Sequence, residues 1–367
     1  MSRISMFDYL RQYEGLRKEI LAAIEQVLSS GQLILDSEVR QFEEEFAEFF
    51  RSYGGCVGVN SGTDALVVAL MALGIGPGHE VITVSNTAVA TVSAIRSVGA
   101  IPVFCDVDPH TCLMDLDEMP SRITANTRAV IPVHLFGNVV DVSRIQNLIG
   151  DRDIKIIEDC AQAHGAALWG RMAGTMGDVG AFSFYPTKNL GAYGDAGLCY
   201  SGDPVLIKEM RRVRMYGFEN GYYSEREGMN SRLDEIQAAI LRVKLRCLPE
   251  YLKRRRALAE RYESNLKEKV ELVVPGDGVH HAYHLFVVKV PDRDRVRKEL
   301  ERRGVDTGIH YPCPIHLMRG YSFLGYREGS LPRTEALAQT ILSLPMYPEL
   351  PEASVDKVCA ELNDVLG

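Results

Sequence analysis

From residue 80 to residue 202 the chain alternates two kinds of segment, and few folds accommodate that alternation. The runs "EVITVS", "IPVFCDVD", "RAVIPVHLFG", "IKIIEDC", "VGAFSFY" and "AGLCYSG" are short and rich in β-branched and aromatic residues. Between several of them lie helical patterns such as "TVSAIRSVG" and "VSRIQNLIG". Strand-length apolar runs separated by helices predict an α/β domain with a mostly parallel sheet. Ahead of this region, Leu16, Ile20, Ile24, Val27 and Leu28 recur at helical spacing, with Gly31 as a C-terminal cap. Val39, Phe42, Phe46 and Phe49 mark a second amphipathic helix, for which Ser37 is the expected N-cap.

Further along, residues 203–216 read as a helix. The polar stretch "GFENGYYSEREGMN" reads as a long loop, and a helix is expected from near Ser231 through "RLDEIQAAILRVKL". Near Pro249 the pattern shifts to the basic helix "YLKRRRALAERYESNL", followed by the strand-like "AYHLFVVKV" and mixed elements. The expected division is a large α/β unit over 15–245 and a smaller α+β unit over 246–367, joined by residues 1–14.

Charge and cysteine usage narrow the function. With 41 basic and 49 acidic residues the formal charge is −8, which argues against a dedicated nucleic-acid binder. None of the eight cysteines forms a C-x-x-C pair, so no zinc ribbon or thioredoxin-type motif is expected, and no metal. The N-terminus lacks a signal-peptide core, and "ALVVALMALGIG" is too short to span a bilayer. A cytoplasmic protein without membrane attachment is expected.

Four segments could carry chemistry. In "VNSGTDALVVAL" a strand meets Ser61-Gly62-Thr63 and a helix begins, which can make an anion site or a plain N-cap. In "IKIIEDCAQAHGA" Glu158-Asp159 fall where a strand should end, the place where open α/β sheets bind ligands. His164, in the same segment, reads as a hydrogen-bonded structural histidine. In "GAFSFYPTKNLGAYGDAG" Ser183 ends a strand and Lys188 follows in a glycine-rich loop. A lysine with a lowered pKa can form Schiff bases with aldehydes. In "MNSRLDEIQAA" Asn230 precedes a helix, an ordinary turn or cap position. Each has a bland alternative when taken alone. Together, phosphate cradle, acid and Ser-x-x-x-x-Lys in that order are what pyridoxal phosphate requires: fixed donors, a carboxylate for the pyridine nitrogen and an amine for the aldehyde.

With "SSGQLILDSEVRQFEEEFAEFF", "HLFGN" and "IHYPCPIHL", these segments resemble the fold-type I, pyridoxal-phosphate-dependent nucleotide-sugar aminotransferases of the DegT/DnrJ/StrS type. The resemblance implies a large, seven-stranded, mostly parallel sheet domain with a smaller C-terminal domain. It implies that Lys188 is the Schiff-base lysine, that Asp159 pairs with the pyridine nitrogen, and that Gln162 lies near the ring oxygen. Gly62, Thr63 and Ser183 would hold the phosphate, joined by Asn230 from the partner of a homodimer with shared sites. Ala88 stands where many members stack an aromatic on the ring. His310, Tyr311 and Tyr185 would line the sugar-nucleotide side. Asp195-Ala196 replaces the usual glutamate-glycine, and Asp36 a usual glycine.

The implied reaction is ping-pong. An amino acid, expected to be L-glutamate, converts the cofactor to pyridoxamine phosphate, which aminates C-3 of a dTDP-linked 3-keto-6-deoxyhexose. Amination at C-4 of a dTDP- or UDP-linked 4-keto-6-deoxy sugar is the alternative, and a non-enzymatic regulator a remote one. A dehydratase of the same fold is disfavoured because those relatives carry histidine where this chain has Lys188.

Overall fold

A computed structural model of the chain describes residues 3–266 and 270–367; residues 1 and 2 of the expected 1–14 joining segment lie outside it. Two helices open the chain, α1 (Tyr9–Ser30) and α2 (Ser37–Phe49). Then come β1 (Gly55–Val59), α3 (Gly62–Ala72), β2 (Glu80–Val84), α4 (Val89–Ser97), β3 (Ile101–Cys105) and β4 (Thr127–Val130). They are followed by α5 (Val142–Ile149), β5 (Lys155–Asp159), β6 (Val179–Ser183) and β7 (Gly197–Ser201). The strands form one seven-stranded sheet in the order β1-β7-β6-β5-β4-β2-β3. Neighbours from β3 to β6 pair parallel, while β7 runs antiparallel to both β6 and β1.

That direction reversal positions the site. The register pairs Val59 and Ser183, both at the last residues of their strands, with Gly197, the first residue of β7. Asp159 ends β5 beside Ala181 of β6. Gly62 and Thr63, Ala88, Asp159 and Gln162, and Ser183, Tyr185 and Lys188 therefore lie at or just beyond strand ends on one rim of the sheet. The strands read as near-continuous apolar runs because helices cover the sheet. Helix α3 buries six consecutive residues, Ala65–Leu70, as a helix enclosed between a sheet and other helices must.

Helix α6 (Pro204–Val213) matches the expected helix at 203–216, and α7 (Glu235–Leu245) packs against α1 and α2. Two expected boundaries move. Ser37 is the first residue of α2 and makes no cap; the cap position is Asp36, whose side chain makes no cap bond either. The carboxylate of Glu235, 1 % exposed, instead accepts from the backbone amides of Asp36, Glu38 and Val39. Helix α7 starts at Glu235, later than Ser231. The Ser231 hydroxyl donates to Asp64 at 2.7 Å and accepts from the Asn60 amide at 3.1 Å, which fixes it to the start of α3.

The expected loop over 217–230 contains a short hairpin, Phe218–Asn220 paired with Tyr223–Ser224, and the later main elements are α8 (Leu248–Leu266), β8 (Glu271–Leu272), β9 (Phe286–Lys289), α9 (Arg293–Arg302), α10 (Pro332–Thr340), β10 (Ile341–Leu344) and α11 (Glu352–Leu366). The sheet β8-β9-β10 is antiparallel. It lies in a second buried cluster drawn from Ile4 and from residues between Leu258 and Leu362. The expected strand over 282–290 is shorter at its start. Tyr283 has φ 42, and the buried Arg255 guanidinium takes the Tyr283 and His284 carbonyls that a ladder would have used.

Candidate active site

Helix α3 starts at the rim of the sheet with its first two amides, Gly62 and Thr63, without acceptors among the described residues; Ser61 caps Asp64 instead. Unpaired amides at the N-terminus of an eleven-residue helix favour an anion. Close packing keeps this corner small. A Cβ on Gly62 would stand 2.5 Å from the Ser183 Cβ and 3.0 Å from its Oγ. A Cβ on Gly197 would stand 2.2 Å from the Ser61 carbonyl oxygen. Only glycine permits these approaches. The Ser183 hydroxyl accepts from the Tyr185 amide at 3.3 Å, which leaves its hydrogen free to donate.

Asp159 is 5 % exposed. Its Oδ2 accepts from the Thr91 hydroxyl at 2.8 Å and its Oδ1 from the Ala161 amide at 3.1 Å. Burial raises its pKa above the ordinary aspartate range, opposed by those two bonds and by the charge of Lys188. Lys188 follows β6 on the same rim, its backbone amide bonded to the Tyr185 carbonyl. Its amine makes no hydrogen bond or ion pair among the described residues. Burial pushes its pKa down to about 8, with Asp159 the opposing charge. An amine so placed is in part unprotonated near neutral pH, as nucleophilic chemistry needs.

Gln162 and Tyr311 meet. The amide Oε1 of Gln162 accepts from the Phe136 backbone at 2.7 Å, and its Nε2 donates to the Tyr311 hydroxyl at 3.1 Å. Burial, together with the charge of Asp159, raises Tyr311 to about 12. His310 pairs with the Ser343 hydroxyl at 2.8 Å, and burial beside Lys188 lowers it to about 4. Ala88 is half-buried at the N-cap of α4. Tyr185 (53 % exposed) and Asn230 are exposed, so within one chain the structure does not bring either into the enclosed cluster.

His164 is a buried structural group. It packs on Phe182 and Phe184 at 5.6 and 5.5 Å and its ring meets the Ser183 backbone, without an ordinary hydrogen bond among the described residues. Burial lowers it to about 3, so it is a neutral packing group. Glu158, beside Asp159, serves the scaffold. Its oxygens accept from His134 and from the amides of Gly174, Met176 and Gly177. The ligand atoms of His134, Glu158 and Cys160 lie within 4.8 Å of one another, but those four donors already occupy the carboxylate.

Three contributors were not anticipated from the sequence. Thr91 bonds Asp159, and its only advance signal was its i,i+4 spacing from Thr87 inside "NTAVATVSAI". Asn189, next to Lys188, donates to the Ala282 carbonyl at 2.9 Å and meets His284 Nδ1 at 3.3 Å. Because the Asn189 amide nitrogen donates to Ala282, its oxygen faces His284 as acceptor, which places that imidazole proton on Nδ1. Arg255 fixes the His284 carbonyl from within the basic helix α8.

Known proteins are similar to this chain over nearly its whole length. The DegT/DnrJ/EryC1/StrS aminotransferase family pattern matches residues 14–363. A dTDP-3-amino-3,4,6-trideoxy-alpha-D-glucose transaminase of Micromonospora megalomicea subsp. nigra is 47% identical over 98% of this chain and 98% of its own. The crystal structure of S. venezuelae DesV in complex with a ketimine intermediate superposes with a TM-score of 0.97 at 43% identity, over 99% and 98% of the two chains. That of NtdA from Bacillus subtilis with bound cofactor PMP superposes at 0.93 with 30% identity, over 100% and 86%. With the family pattern spanning nearly its whole length, the chain belongs to the DegT/DnrJ/EryC1/StrS aminotransferases.

Proposed function

We propose that this aminotransferase binds pyridoxal phosphate and moves an amino group from L-glutamate to C-3 of a dTDP-linked 3-keto-6-deoxyhexose. The observation that carries the cofactor assignment is the Lys188 amine, without a hydrogen bond among the described residues and lowered to about 8, with Asp159 as its opposing charge on the same rim. The residues fit the group. A glycine-lined corner that a Cβ would fill, with two unpaired amides, suits a phosphate. A buried carboxylate with lone pairs left over suits a cationic ring nitrogen.

Gly62, Thr63 and Ser183 would hold the phosphate, Asp159 the ring nitrogen, and Lys188 the aldehyde carbon covalently. When bound, pyridoxal phosphate supplies an electron sink for the carbon that loses its proton. Lys188 Nζ, titrating near 8, takes and returns that proton at pH 7–8 without a large driving-force penalty. Gln162 holds the Tyr311 hydroxyl, and His310 is kept neutral, so the side assigned to the sugar nucleotide offers uncharged donors and acceptors. The C-3 assignment draws on the 3-amino sugar named for the 47%-identical relative. The exposed Asn230 and Tyr185 support a homodimer in which each subunit completes the other's site.

Borohydride should fix the cofactor on Lys188, and the Lys188→Ala protein should retain none; a reducible adduct persisting in that variant overturns the assignment. With glutamate and dTDP-linked 3-keto and 4-keto sugars supplied separately, NMR of the product should show the amine at C-3. Turnover of only the 4-keto sugar moves the reaction to C-4. Mixed Lys188→Ala and Asn230→Ala subunits should regain activity that neither has alone, because one site of the mixed dimer is whole.

A further inference from the structure

Asp159 presents a physical problem for the proposed site. A carboxyl this deeply buried favours its neutral form, while pairing with a cationic ring nitrogen requires the carboxylate. The charged and titratable groups facing it are Lys188 from the loop after β6, His134 after β4, Cys160 next in sequence, and Tyr311 from the C-terminal part of the chain. Lys188 cannot serve as a permanent counter-ion, because its amine must be free for covalent chemistry.

The start of α4 supplies a neutral solution. The Thr91 hydroxyl, 0 % exposed, gives its single hydrogen to Asp159 Oδ2 at 2.8 Å. Thr87 lies one helical turn earlier, 2 % exposed, with its Oγ1 3.0 Å from that of Thr91. Since the Thr91 hydrogen is already committed, Thr87 is the donor in that pair. The chain of bonds has one direction: Thr87 to Thr91 to the carboxylate.

Protonating Oδ2 would reverse the chain: Asp159 would donate to Thr91, Thr91 to Thr87, and the Thr87 hydrogen would be left without an acceptor among the described residues. Protonating the spare lone pair of Oδ1 would leave the direction intact but weaken the Thr91 and Ala161 bonds, which a carboxylate accepts more strongly than a neutral acid. An unsatisfied buried donor is costly, so the reversed state is penalised.

We propose that Thr87 and Thr91 are positioning residues whose one-way hydrogen-bond chain holds Asp159 as the carboxylate, independently of the charge on Lys188. The inference rests on the assignment of Asp159 to the cofactor site. Neither threonine needs to touch substrate or cofactor for it to hold.

The test reads Asp159 directly. In cofactor-free, full-length protein, pH-stepped infrared difference spectra report the carbonyl stretch of protonated buried carboxyls. The band missing in Asp159→Asn is that of Asp159. In Thr91→Val, which keeps the shape and removes the donor, the midpoint of this band should rise by about one pH unit or more, a tenfold gain in proton affinity. Thr91→Ser should restore the wild-type midpoint. Thr87→Val, which leaves the direct bond in place, should move it part of the way and decides the question should Thr91→Val fail to fold. Coincident midpoints in wild type and the folded valine variants overturn the inference. Failure of the site assignment itself is a different result: cofactor still fixed by borohydride in Lys188→Ala, whatever the infrared midpoints.

Discussion

Gly62 shows how much of the proposed chemistry rests on an absent side chain. Its amide begins α3, and its α-carbon lies against Ser183 so closely that a methyl group would overlap the serine Cβ. Gly62→Ala should push β6 and the start of α3 apart. Forced packing of this kind costs about 1–3 kcal/mol. It should also displace the Ser183 hydroxyl from the phosphate corner, so the dissociation constant for pyridoxal phosphate should rise by about tenfold or more, the loss of one charge-assisted hydrogen bond. Absorbance titration of the cofactor-free protein measures it, and an unchanged constant would show that the corner is not the phosphate site. Lys188, Asp159, Gly62 and Ser183 were legible as candidates because each bears a group that pyridoxal phosphate would need. Thr91 and Asn189 were not. A threonine or asparagine in a helix start or loop has an ordinary local use, and only the folded chain shows which partner it meets.

At the level of elements, the strand–helix alternation was legible because burial on two faces demands continuous apolar runs. Helix ends were less so, and α2 shows why. Its cap is a carboxylate 199 residues away from Asp36, so no local pattern could announce it. Glu235 accepts three amides at the start of α2 while itself beginning α7, which ties the two N-termini together. Glu235→Gln keeps one acceptor oxygen and introduces a donor facing backbone amides. It should lower stability by about 2–3 kcal/mol, the range for bonds to a charged group that leave buried donors unsatisfied. Denaturant unfolding should show the loss, with amide exchange accelerated first at the start of α2. Glu38→Gln, by contrast, disturbs only the partly exposed pair with Arg242 and should cost under about 1 kcal/mol. Equal losses in the two variants would contradict the cap.

Across the whole molecule, the sequence showed the acidic net charge but not which ionisable groups the fold forces to be neutral. Four histidines, the buried His164, His281 and His284 and the half-buried His310, have their pKa values pushed down by burial: to about 3, about 3, well below the ordinary value, and about 4. Three of them also feel Lys188. Each takes up a proton near pH 6.5 once the chain unfolds but not while it is folded. The unfolded state therefore binds more protons below that pH, and stability falls as pH drops from about 6.5 toward 4. Each histidine contributes about 1.4 kcal/mol per pH unit in that window, so four together dominate its slope. Lys188 and Lys244, both lowered to about 8, act at the other end. Their burial cost is full below pH 8 and fades as pH rises from about 8 to 10.5, so stability gains there. Proton uptake on urea unfolding, measured in unbuffered solution at pH 5.5, should come to about four protons from these imidazoles above the carboxylate background. Replacing His164 with Phe should remove close to one proton from that uptake and improve acid resistance. An uptake unaffected by that substitution would mean that His164 is already charged in the native protein.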